Sequence, residues 1–140
     1  MPTTNSTQAA DKALGKKLDG AINGAPLKCF RVEVPLAAQA AADIINLLTL
    51  PRGYRFAYGV MVASVGLGAA ATVAIGVAGT PAKYRAAAIM NNADTPTLFG
   101  TQAAAAEAEG AEKDIIATVG AAALPGAGTL TVFIFASERG

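Results

Sequence analysis

Few residues in this chain are capable of chemistry. The sequence contains no histidine and one cysteine, Cys29. Histidine-based triads and histidine-ligated metals are therefore excluded. A lone thiol also leaves no internal disulfide and no cysteine-based zinc site. Cys29 falls on the polar face of a predicted strand and has no histidine to activate it, so it reads as an incidental thiol. The carboxylates of Glu107, Glu109, Glu112 and Asp114 cluster, but within an alanine-rich polar segment that lacks EF-hand spacing. They read as a solvated loop rather than a hard-cation site. Gly66-Leu67-Gly68 lacks the third glycine, the following helix and the acidic residue of a dinucleotide fingerprint, and no Walker-type lysine follows a glycine-rich loop. Tyr54, Phe56 and Tyr58 beside Arg52 and Arg55 contain the ingredients of a base-stacking platform. At strict period 2 they are more simply a core face with the arginines outside. The sequence thus assigns no catalytic, cofactor-binding or metal-ligating residue, and predicts no enzyme.

The bulk properties agree. A net charge of +1 without a block of like charges gives no electrostatic case for nucleic acid or an anionic membrane as partner. At 140 residues the chain fits one domain with a proper core. Its composition is 53% apolar, but much of that is alanine, which brings little hydrophobic area per residue. Met1 to Gly20 is polar, carries Lys12, Lys16, Lys17, Asp11 and Asp19, and has no apolar core of a secretory signal. Residues 1–26 read as an N-terminal arm, with a short marginal helix over Ala9–Leu18, and residues 27–140 as the folded domain.

Period-2 patterning dominates that domain. Over residues 27–35, Phe30, Val32 and Val34 alternate with Cys29, Arg31 and Glu33, which predicts a half-buried strand ended by Pro35. Leu36–Ala42 reads as a loop or helical turn. Asp43–Leu50 is apolar on both faces and suits a central strand. From Tyr54 to Ala63 the even positions Tyr54, Phe56, Tyr58, Val60 and Val62 are large, predicting a strand with that set in the core. The Gly66-Leu67-Gly68 turn leads to a further strand over Thr72–Gly79, forming with its predecessor either a hairpin or consecutive strands of a sandwich. Thr80-Pro81 reads as an N-cap and first helical residue, predicting a short helix over Ala82–Met90. A loop (91–97), a short strand start at Leu98-Phe99 and an exposed loop with a helical turn (101–112) follow. Strands over Asp114–Val119 and Thr129–Ser137 complete the chain, the last with Leu130, Val132 and Ile134 opposed to Thr131, Phe133 and Phe135.

One membrane alternative must be weighed. The chain is uncharged from Phe56 to Ala82, longer than the roughly 20 residues a helical span needs. Glycines at 59, 66, 68, 76 and 79 and many alanines weaken any drive to insert. A helix also leaves the alternation of large residues unexplained. Strands explain it.

Seven or eight short strands separated by turns, with at most one or two short helices, predict an all-β fold, an antiparallel, jelly-roll-like β-sandwich. No period of 20 to 50 residues repeats, which argues against a solenoid.

Specific landmarks add a resemblance. Leu50-Pro51-Arg52-Gly53, Leu67-Gly68, Thr72 to Gly76, Lys83-Tyr84-Arg85 and Gly128 to Val132 stand in an order that resembles small virion proteins of tailed bacteriophages, of the head decoration (cement) type. The resemblance covers about residues 43–137. Aspartates of that pattern near Gly76 and before Tyr84 are replaced by Ala78 and Lys83. The resemblance implies a β-sandwich that binds the major capsid protein on the outside of the assembled head and stabilises it, located on the virion surface. It also implies a homo-oligomer, with a trimer favoured over a monomer. The alternatives are another minor virion component (head-fibre base, neck or tail protein), a holin-like membrane protein, or a carbohydrate-binding sandwich.

Overall fold

The computed structural model describes residues 13–15, 26–107 and 110–138. The expected N-terminal arm lies almost wholly outside them. Among the described residues eight strands are formed: β1 (Leu27–Pro35), β2 (Ile44–Leu50), β3 (Tyr54–Ala63), β4 (Thr72–Val77), β5 (Thr80–Ile89), β6 (Thr97–Phe99), β7 (Lys113–Gly120) and β8 (Thr129–Glu138). A short helix, α1 (Gln102–Ala106), lies between β6 and β7. The strands make two four-stranded sheets, β1-β8-β3-β6 and β2-β7-β4-β5, with every pairing antiparallel. The predicted all-β sandwich is the observed architecture.

The core lies between the sheets. β8 supplies Leu130, Val132, Ile134 and Ala136, each at most 1% exposed, and its alternation is the one its sequence predicts. From the opposite sheet come Val73, Ile75, Ile115 and Val119, equally buried. At one end an aromatic cluster joins the layers: Phe56 of β3 packs on Tyr84 of β5 with ring centroids 4.4 Å apart, and on Phe99 of β6 at 6.4 Å. α1 covers that end. Its N-cap is Thr101, whose hydroxyl accepts from Ala104 N at 3.1 Å and donates to Lys83 O at 2.9 Å. Ala104 is buried, so this connection is not wholly an exposed loop.

Three expectations are corrected and one pair of alternatives is decided, making four points. Thr80–Ile89 is a strand, not a helix: Gly79, at φ +84°, closes a tight turn from β4, and pairing along β4 outweighs the helix propensity of the alanines. β2 is an edge strand, not a central one, and Ile44 is 61% exposed. β3 and β4 belong to different sheets, so of the two alternatives the consecutive strands of a sandwich hold, and the Gly66–Gly68 segment is a crossover. The fourth concerns β3 itself. Phe56 pairs with Ala136, but Tyr58 already pairs with Phe135, so one residue of β3 is bulged out at Ala57. Beyond that bulge the faces exchange. Gly59, Met61 and Ala63 point into the core, and Tyr58, Val60 and Val62 point outward. Among the described residues no helix is long and apolar enough to cross a membrane, and the uncharged Phe56–Ala82 run is built of strands and their connections.

Candidate functional site

The sequence singles out four groups, and the structure scatters them. Of the acidic cluster, Glu109 lies outside the described residues. Glu107 is held by two lysines, Lys83 at 2.6 Å and Lys113. Burial, and then the nearby Lys83 charge, lower the pKa of Lys113. Asp114 accepts a hydrogen bond from Thr49 Oγ1 at 2.7 Å, and Glu112 is exposed. Among the described residues no group of three or more His, Cys, Asp or Glu side chains is placed to hold a metal. Gly66 and Gly68 serve packing: a Cβ on Gly66 would come within 2.4 Å of Asn91 Oδ1, which accepts from Gly68 N at 3.2 Å. The aromatic trio divides. Tyr54 meets Phe30 edge-on at 5.3 Å and Phe56 enters the core, while Tyr58 leaves it.

What the structure assembles instead is an apolar outer face on the β1-β8-β3-β6 sheet. Strand register places its side chains in rows. Cys29, Phe135 and Tyr58 form one row, and Arg31, Phe133, Val60 and Leu98 the next. Glu33, Thr131 and Val62 form the third. Tyr58 and Phe135 stack with centroids 4.7 Å apart and planes 12° from parallel. Leu98 is 72% exposed and Tyr58 39%, while Val60, Val62, Phe133 and Phe135 are half-buried. Two stacked aromatics, two valines and a leucine grouped on one outer face are the kind of apolar patch that marks interaction surfaces.

The margins of this face are defined. A hollow of about 360 Å³ opens beside Tyr58 and Leu98, with Gln102 and Ala105 of α1 on its far wall. A second of about 320 Å³ lies between Glu33, Val62, Asp94 and Thr131. On this face Arg31 and Glu33 lie on the β1 side, where they bond at 2.6 Å, and Arg55 of β3 stands in the end row with Leu27 and Ser137. Lys28 and Glu138, bonded at 2.7 Å, belong to the other face of the sheet, in register with Ala136 and Tyr54. The hydrogen bond from Lys28 to Glu138, and a lesser one involving Tyr54, raise the pKa of Lys28. The arrangement therefore offers hydrophobic contact with a polar margin, the composition of a candidate binding surface.

Sequence reasoning puts Tyr58, Val60 and Val62 in the core. The signal that could have revealed them is the lack of any polar residue in β3 after Arg55 except the Tyr58 hydroxyl. Apolar residues fill both faces of β3, as of β8, yet each strand has only one face toward the core.

Neither a protein-family model nor a curated protein matches the chain. Solved structures do match. A chain in the capsid of Ralstonia phage GP4 is similar with a TM-score of 0.66 and 20% identity, over 81% of this chain and 84% of that one. A chain in the cyanophage Pam1 capsid asymmetric unit is similar with a TM-score of 0.59 and 21% identity, over 99% of both chains. A third, in the acid-stable capsid of Helicobacter pylori bacteriophage KHP30, reaches a TM-score of 0.50 at 11% identity, over 82% of this chain and 94% of that one. At these identities the likeness establishes a shared fold.

Proposed function

We propose that this chain is a structural component of a bacteriophage head, a decoration protein that binds the outside of the assembled shell. The observation that carries the reading is the likeness, over most of the chain, to chains of three separate phage capsids. The uncovered apolar face on β1-β8-β3-β6 supports it from a different direction, because a decoration protein must present a surface that is incomplete until the shell covers it. The major capsid protein is the partner. The strand orders β1-β8-β3-β6 and β2-β7-β4-β5 pair the first strand with the last and the second with the seventh, which supports reading the sandwich as a jelly roll. The trimer is part of the same proposal and stands on the resemblance alone.

The mechanism is mass action. A protein that binds neighbouring capsid subunits only in their assembled arrangement stabilises that arrangement, by about 2.7 kcal/mol per site at a free concentration one hundred times Kd. No bond is made or broken, and the shell becomes harder to take apart.

Binding to purified shells tests this directly. The protein is expected to co-sediment with assembled shells and not with unassembled capsid protein, and to raise the temperature at which shells rupture. Particles that lack the protein yet rupture at the same temperature would overturn the reading. So would labelling that finds it on the neck or tail.

A further inference from the structure

The four sheet edges differ in how they are guarded against strand addition. β6 is three residues long. β2 is interrupted by a register shift between Asn46 and Leu48, and β5 by shifts opposite Ala74 and Gly76. Short and bulged edges discourage a further strand. β1 is different. It pairs with β8 without a shift over nine residues, from Leu27 against Ser137 to Pro35 against Thr129. Among the described residues no strand occupies its other side. Up to Pro35, which has no N–H and whose carbonyl accepts from Gln39 Nε2 at 3.0 Å, that side presents its backbone N–H and C=O groups to no other strand among the described residues.

The side chains on this edge are complementary to themselves. Phe30-Arg31-Val32-Glu33-Val34 reads apolar, positive, apolar, negative, apolar, so reversing its direction about Val32 exchanges the two charges. In an antiparallel pairing centred on Val32, Arg31 stands opposite the partner subunit's Glu33, and Glu33 opposite the partner subunit's Arg31. Phe30 meets the partner subunit's Val34, and Lys28 the partner subunit's Leu36. Arg31 and Glu33 are both exposed on the outer face, while Phe30, Val32 and Val34 face inward with Lys28 at the end of their row, so the Arg31–Glu33 charges stay apart from the apolar pairs. Opposed side chains in such a pair lie about 4.5–5.5 Å apart, close enough for opposite charges to attract and like charges to repel. Centring instead on Arg31 or Glu33 sets a charge against its own copy. Only the Val32 centre sets each charge opposite its complement, extending the Arg31–Glu33 pair within each strand into a four-charge cluster.

We propose that β1 is a homotypic contact, through which two copies of this chain pair antiparallel about a two-fold axis at Val32. The contact is isologous. It joins two four-stranded sheets into one of eight strands and sets two apolar outer faces side by side. It does not rest on the shell-binding reading. Being two-fold, it adds to a three-fold ring rather than forming one.

Charge exchange tests the register. The full-length chain is expected to sediment at twice the mass of Arg31→Glu or Glu33→Arg at matched concentration where those variants are monomers, and at a higher mass than theirs where other contacts make a ring. Mixing the two single variants restores the doubled mass, because an all-acidic strand then meets an all-basic one. The double variant R31E/E33R doubles by itself. Circular dichroism and thermal unfolding verify that each variant is folded. Val32→Cys in a Cys29→Ser background provides a readout independent of charge, since directly opposed Cα atoms about 4.5–5.5 Å apart fall within disulfide range. Mild oxidation is expected to give a covalent dimer. A wild-type mass equal to that of the single variants, a mixture that stays at the lower mass, or a Val32→Cys variant that forms no cross-link would overturn the proposal.

Discussion

Gly59 and Phe99 share one side-chain space. They are cross-strand partners on β3 and β6, and a Cβ built on Gly59 would stand 2.1 Å from Phe99 Cζ. The glycine makes room for the ring, and the ring closes the core over the bare backbone. This contact pins the three-residue β6, and with it the exposed Leu98, to the margin of the apolar face.

Gly59→Ala is therefore expected to destabilise the fold by about 1–3 kcal/mol through overpacking. Phe99→Ala should cost about 3–5 kcal/mol, since it leaves a cavity. The double variant should cost less than the two together, because the alanine methyl then enters space the ring has vacated. Denaturant unfolding of the three variants measures the coupling, and simple additivity would contradict the shared site.

Tyr84 supplies a second test. Its side chain is 1% exposed, and among the described residues its hydroxyl has no hydrogen-bond partner. Tyr84→Phe removes that unsatisfied group and should stabilise the protein by about 1 kcal/mol. It should also change the alkaline limb of the stability curve. Burial raises the phenol above its ordinary 10.0. Above that pH the unfolded chain ionises first and binds fewer protons than the native chain, so stability falls as pH rises toward the folded pKa. Below it the phenol is neutral in both states and contributes no slope. Lys28 and Lys113 titrate in wild type and variant alike, so the difference between their curves isolates Tyr84. Identical curves from about pH 9 to 11 would refute the assignment.

Arg85 is 9% exposed, and its guanidinium Nη1 donates to Val73 O and, at 3.2 Å, to Ala88 O. These carbonyls flank the register shift between β4 and β5, where ladder bonds are interrupted. Burial lowers the pKa of Arg85. Arg85→Ala should lose about 1–3 kcal/mol by orphaning those carbonyls. Arg85→Lys should recover only part of this, because an ammonium cannot reproduce the guanidinium fork. Full recovery with lysine would show that charge alone matters there.

Leu98→Glu examines the apolar face. At 72% exposure the leucine contributes little to folding, and its substitution should move stability by less than about 0.5 kcal/mol. Shell binding should weaken at least tenfold (about 1.4 kcal/mol), since a carboxylate is then desolvated against an apolar partner. Undiminished binding by a folded Leu98→Glu variant would place the docking surface elsewhere.

Elements with unbroken periodicity are legible in the sequence. β1 and β8 alternate cleanly, and their inward sets (Val34, Leu130, Val132 and Ile134 among them) include the buried ones. β5 is not legible, because Thr80-Pro81 and the alanines satisfy local helix rules and nothing nearby announces β4 as a partner. The binding face is hidden for a related reason. Tyr58, Val60 and Val62 keep perfect period 2 in the sequence, and the bulge at Ala57 leaves no mark in composition.

Sequence alone determined that the protein is built mostly of strands, that histidine chemistry and an internal disulfide are excluded, and which residues alternate along β1 and β8. These follow from local properties: residue type, period and charge. Tertiary structure alone decided which of two apolar faces turns inward, which strands become edges, and that Tyr58, Phe133, Phe135 and Leu98 share a surface. A bulge is a relation between two strands: Ala57 is an extra residue only when β3 is laid against β8. One such residue carries every later side chain to the opposite face of the sheet. Local pattern contains the alternation, and pairing supplies its sign.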